Sequence, residues 1–208
     1  MDERFEKDGV SGVLHRPEEE TGDALALTHG AGSNCHAPLL VRLATSFAQS
    51  GCLVLRFDLP FRQQRPKGPP FPAAAARDRE GIERAVDALR AVVRGRVVAG
   101  GHSYGGRQAT MAAAGHHGMA DGLLLLSYPL HPPKRPDQKR TTHFPQLRTP
   151  ALFVHGTADP FGSVEELRAA MALIAARTDL IAVEGAGHNL QRAPDLAPGI
   201  LSRLWALL

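Results

Sequence analysis

The sequence predicts an α/β fold: a doubly wound, mostly parallel sheet with helices on both faces and an antiparallel hairpin at its N-terminal edge. Three observations carry that prediction. From residue 23 to the end, short apolar runs alternate with helical patterns, as expected when each strand is followed by a crossover helix. The run Asp121-Gly122-Leu123-Leu124-Leu125-Leu126-Ser127 is continuously apolar at strand length, which fits burial on both faces of a parallel sheet. Residues 4–16 instead alternate weakly around Gly9 and Gly12, the pattern of one edge hairpin.

The elements follow in order. Asp23 to His29 reads as a strand entering the turn Gly30-Ala31-Gly32. Pro38 opens a helix through about Ser50, with Leu39, Leu40, Leu43, Ala44 and Phe47 at helical spacing and Gly51 ending it. Cys52 to Asp58 is the next strand, and the segment from Pro60 to Pro72 is too rich in proline to be helical. A helix over about 73–93 carries an apolar face of Ile82, Ala85, Val86 and Leu89. Strands near 96–100, 121–127, 151–155 and 179–183 alternate with helices after Ser103, near 163–176 and near 193–207, and there is no internal repeat. In such a sheet, ligands bind beyond the C-terminal strand ends, where His29, Asp58, Ser103, Pro129, Asp159 and His188 gather.

With 208 residues, 43% of them hydrophobic, the chain suits a single domain over 1–208 with a substantial core. The charged start and the lack of any run near the roughly 18 apolar residues of a membrane span point to a soluble, cytoplasmic protein without membrane attachment. A net charge of +3 is too small to imply nucleic-acid binding. Cys35 and Cys52 are not closely spaced and read as free, partly buried thiols.

The chemistry is concentrated in Gly101-His102-Ser103-Tyr104-Gly105, set between the strand at 96–100 and a helix of small residues. A G-x-S-x-G segment at a strand-to-helix turn projects the serine hydroxyl above the sheet edge, with flanking glycines letting strand and helix approach. Downstream, the strand Ala151–His155 ends in a turn presenting Asp159, and the strand near 179–183 leads into a loop presenting His188. A serine hydroxyl needs a base to take its proton as it attacks a carbonyl. His188 is that base, and Asp159 fixes its tautomer and stabilises the imidazolium. For the oxyanion hole, the N–H of Tyr104 supplies one donor and that of Ala31 the second, with Gly32 as the alternative. Gly32, His102 and Arg107 are candidate substrate contacts. This chemistry requires no cofactor and no metal.

Across almost its whole length the chain resembles the α/β-hydrolase superfamily, and the chain order Ser103, Asp159, His188 is that superfamily's order. The segments Gly101 to Arg107, Ser127-Tyr128-Pro129-Leu130-His131-Pro132-Pro133-Lys134 and Leu152 to Asp159 further resemble small hydrolase-like proteins of the testis-expressed and nonspecific-lethal-complex subunit group, distant relatives of dienelactone hydrolase. That resemblance implies a compact core without a large lid, with 129–145 as a short loop at the cap position. It also implies a Ser-Asp-His site at Ser103, Asp159 and His188. Dienelactone hydrolases proper use a cysteine nucleophile, so their particular reaction does not transfer to a serine.

Two readings follow. The first is a serine hydrolase cleaving a carboxylic ester or thioester through an acyl-enzyme. Its substrate is a small acyl molecule, and the basic loops holding Arg62, Arg65 and Lys67 and holding Lys134, Arg135, Lys139 and Arg140 either favour an anionic one or are ordinary solvated loops. The second is a catalytically silent hydrolase fold serving as an interaction module, against which an exposed, strained serine elbow argues.

Overall fold

A computed structural model describes residues 2–191 and 196–208. Its eight strands form one sheet in the order β1-β2-β4-β3-β5-β6-β7-β8. They are β1 (Asp2–Lys7), β2 (Val10–His15), β3 (Ala24–Thr28), β4 (Leu53–Asp58), β5 (Val97–His102), β6 (Gly122–Leu126), β7 (Ala151–Gly156) and β8 (Thr178–Val183). β1 and β2 form the expected hairpin, with Lys7 opposite Val10. Asp8 and Gly9 both take positive φ, as a two-residue turn between twisted strands requires. β2 runs antiparallel to β4, and every later pairing is parallel.

Six α-helices cover the faces: α1 (Pro38–Gln49), α2 (Pro60–Gln64), α3 (Ala75–Arg90), α4 (Tyr104–Gly115), α5 (Val164–Met171) and α6 (Ala197–Leu207). Strand alternation divides the core. Leu123 and Leu125 of β6 join Ile82 and Leu89 of α3, Ala109 of α4 and Leu167 of α5 on one face. Leu124 and Leu126 join Leu40 and Phe47 of α1 and Leu204 of α6 on the other. The uninterrupted leucines of β6 are thus explained, because each side of the strand meets a helix layer.

The segment after β4 departs from its sequence reading. Proline richness was expected to exclude helix from 60 to 72, yet Pro60 opens α2 and Pro72 opens a 3-10 turn over Pro72–Ala74. Each proline occupies a first-turn position, where its missing N–H has no intrahelical partner to lose. The helix expected over 163–176 ends at Met171, where Leu173 and Ile174 turn back onto Ala170 and Met171 through tighter backbone bonds. For the last helix, the expected start at 193 lies outside the described residues. No helix among the described residues is long and apolar enough to cross a membrane.

Candidate active site

Sheet topology brings the C-terminal ends of β3, β5 and β7 and the loop after β8 to one place. Ser103, between β5 and α4, has φ 52° and ψ −112°, a left-handed backbone that a non-glycine residue adopts only under constraint. Two constraints hold it. Its N–H donates to Leu126 O of β6 at 2.8 Å, and Arg107 N–H donates to its carbonyl at 3.0 Å. The tightness of the elbow demands its glycines: a Cβ on Gly105 would stand 2.6 Å from His29 O, and one on Gly101 would stand 2.8 Å from the Gly105 carbonyl carbon.

The hydroxyl of Ser103 lies 2.9 Å from His188 Nε2, and His188 Nδ1 lies 2.8 Å from Asp159 Oδ2. With Nδ1–H donating to the carboxylate, Nε2 is left as the acceptor for the serine proton. Asp159 is fully buried at its side chain, and its second oxygen accepts Phe161 N–H at 2.9 Å. The Phe161 ring lies against the His188 imidazole at 4.3 Å between centroids, limiting its rotation. Ser103 and His188 open on a groove of about 540 Å³ lined also by Ala31, Gly32, Leu39 and Arg42.

A family model described as an alpha/beta hydrolase domain matches residues 21–195. The chain belongs to the alpha/beta hydrolase family. Among solved structures it resembles TT1662 from Thermus thermophilus, with 23% identity, a TM-score of 0.77 and 100% of this chain covering 97% of that one. Est1E from Butyrivibrio proteoclasticus with ferulic acid bound gives 16% identity, a TM-score of 0.77 and coverage of 98% and 99%. XC6422 from Xanthomonas campestris, a serine hydrolase without a lid, gives 15%, 0.73 and coverage of 98% and 92%. At these identities the likeness is one of fold.

In this member of the family, the loop after β3 is fastened by groups whose role was not legible in the sequence. His29, fully buried, donates from Nδ1 to Gly30 O at 2.9 Å and accepts Leu59 N–H at Nε2, 3.1 Å. Burial lowers its pKa, keeping the ring neutral as this pairing requires. Ser33 N–H also donates to Gly30 O, so that carbonyl faces inward and the trans peptide turns the Ala31 N–H the opposite way. Among the described residues, nothing accepts the N–H of Ala31, Gly32 or Tyr104. The loop runs close to Ser103: a Cβ on Gly30 would lie 3.5 Å from Ser103 Cβ.

Arg62 completes the fastening. Its guanidinium, almost wholly buried, donates to four backbone carbonyls, those of Ala31, Ser33, Arg65 and Gly68, at 2.7–2.9 Å. The sequence reading placed Arg62 in a basic loop, either solvated or facing an anionic substrate; it is instead an internal strut. Arg56, also buried, donates to the Cys35 carbonyl, while Asp58 Oδ1 accepts Cys35 N–H at 2.7 Å.

His102, expected as a substrate contact, lines the groove but points its Nε2–H at the His188 carbonyl, 2.8 Å away. Burial lowers its pKa to about 4, so the ring stays neutral and holds the His188 backbone. Arg107, also expected as a substrate contact, does not line the groove. Both cysteines are buried, with thiol pKa values raised by burial to about 12, so neither is a reactive thiolate. No cluster among the described residues is suited to holding a metal ion.

Proposed function

We propose that the protein is a serine hydrolase that cleaves a carboxylic ester or thioester through an acyl-enzyme. The observation that carries this reading is the continuous relay Ser103 Oγ to His188 Nε2 at 2.9 Å and His188 Nδ1 to Asp159 Oδ2 at 2.8 Å, built on a strained elbow. A scaffold gains nothing from a serine held at positive φ beside an oriented base.

In the reaction, Ser103 Oγ bonds to the acyl carbon as its proton passes to His188 Nε2. The negative charge moves to the carbonyl oxygen, where the free N–H groups of Tyr104 and Ala31 receive it. The tetrahedral intermediate collapses as the bond to the alcohol or thiol breaks, and His188 returns the proton to that leaving group. Water then attacks the acyl-serine with His188 as base, releasing the acid and restoring the serine. Asp159 stays ionised throughout and stabilises the imidazolium. The similarity in fold to a lidless serine hydrolase and to Est1E carrying ferulic acid supports an open site for a small acyl ester.

Turnover of p-nitrophenyl acetate and of an acetyl thioester by the wild type, absent in a folded Ser103→Ala variant, is the expected result. A folded wild type that turns over neither compound, nor any wider acyl panel, favours the silent interaction module instead.

A further inference from the structure

Among the described residues, Arg107 shares with Arg84, Ser127 and His155 a buried side-chain atom that has no hydrogen-bond partner. It leaves α4 one turn after Ser103, its Nε is sealed from solvent, and no group among the described residues accepts a hydrogen bond from its guanidinium. Buried polar groups are nearly always paired, because leaving one unpaired forfeits its hydration without return. Arg62, more deeply buried than the half-buried Arg107, shows what a fully paired guanidinium looks like in this fold.

The polar groups around the start of α4 direct their hydrogen bonds to other partners. The Tyr128 hydroxyl donates to Arg140 O at 2.7 Å, and Thr110 Oγ1 donates to Arg107 O while facing His143 Nε2 at 2.8 Å. Gln108 Oε1 takes Arg79 Nη1 at 3.3 Å. Asp78, fully buried, accepts Phe61 N–H and the Tyr104 hydroxyl. Two more half-buried arginines close the cluster: Arg79 from α3, and Arg140 from the β6–β7 loop, whose Nη1 donates to Pro129 O at 3.2 Å. None of the three is ion-paired among the described residues.

We propose that Arg107, flanked by Arg79 and Arg140, forms a binding site for the carboxylate or phosphate group of a small anion. A planar guanidinium with free N–H groups is suited to both groups, since each presents paired oxygens. Mutual repulsion in the cluster supports the assignment. The His143 pKa is lowered to about 4 by burial and then by Arg107 and Arg79, and the Arg140 pKa is lowered by burial and then by Arg107. A bound anion offsets the repulsion between the guanidinium groups. Since Arg107 N–H bonds the Ser103 carbonyl, the site lies one helical turn behind the nucleophile. The anion is either the charged end of the acyl substrate or a free small molecule. Binding itself does not depend on the hydrolytic reading.

Calorimetric titration of the full chain with inorganic phosphate and with glutarate tests the site in wild type, Arg107→Met, Arg107→Lys and Arg79→Gln. The expected result is saturable binding of at least one anion, weakened about tenfold or more in Arg107→Met and less in the other two. Without anion, Arg107→Met should melt no lower than wild type, since it removes an unpaired group. A parallel comparison of kcat/KM for neutral and carboxylated esters of equal length separates the two sources. A preference for the charged ester that vanishes in Arg107→Met identifies the substrate's own anion, whereas lost anion affinity with unchanged ester selectivity identifies a free one. Absence of saturable binding of both anions, equal affinity in Arg107→Met, or an Arg107→Met protein that melts far below wild type or fails to fold overturns the proposal.

Discussion

Arg62, buried, and Arg107, half-buried with its Nε sealed from solvent, are treated in opposite ways. The guanidinium of Arg62 meets four backbone carbonyls and ties the loop after β3 to the loop after α2. That of Arg107 meets no acceptor among the described residues. A buried cation saturated by carbonyls is part of the frame, and removing it leaves those carbonyls orphaned. A half-buried cation whose Nε is sealed without an acceptor adds nothing to that frame, which fits the role in binding proposed for it.

The largest expected effect lies at the relay between these two arginines. Asp159→Asn should lower kcat by about 10⁴-fold while leaving the melting temperature within a few degrees, because the amide no longer selects the required His188 tautomer. Steady-state kinetics beside a thermal melt check this. Next comes the frame: Arg62→Met should cost about 3 kcal/mol in urea unfolding and lower kcat about 10²-fold, as the Ala31 peptide loses its orientation. Arg107→Met, measured by the same unfolding experiment without anion, should change stability by less than about 0.5 kcal/mol or raise it. Equal losses at both arginines would erase the distinction drawn between them.

Acid sharpens the comparison further. His102 and His143 have pKa values lowered to about 4, each chiefly by burial, against an unfolded value of about 6.5. The unfolded chain therefore binds more protons between those limits, so stability falls as pH drops from about 6.5 to about 4. His102→Gln and His143→Gln should each flatten that slope by up to one proton in pH-dependent unfolding. Saturating phosphate should leave the His102 contribution unchanged and reduce that of His143, which faces the arginine cluster. The smallest effect belongs to the loop tip: Lys134→Ala and Lys139→Ala, both exposed, should alter kcat/KM for neutral esters less than about twofold.

Residues whose chemistry sits at strand ends were readable from sequence, because a strand, a turn and a polar residue are local in the chain. Ser103, Asp159 and His188 each announce themselves within about ten residues, and parallel-sheet topology supplies their meeting. The strut and the cluster were not readable. Arg62 contacts Ala31 and Ser33 across about thirty residues, inside a proline-rich stretch whose short helix α2 was hidden by prolines that in fact begin it. His102 holds a carbonyl 86 residues away. Arg107 was legible as a charged residue near the elbow, but the sealing of its Nε without a partner is a matter of packing.

Activation of Ser103 by His188 is tested most directly by exposing the wild type, Ser103→Ala and His188→Ala to a fluorophosphonate and mapping the adduct by intact mass and peptide analysis. The probe reads nucleophile activation without knowledge of the substrate. A single adduct on Ser103 in the wild type, absent from both variants, is the predicted result. A folded wild type that takes no adduct, or an adduct that persists on Ser103 at the same rate in His188→Ala, would contradict it.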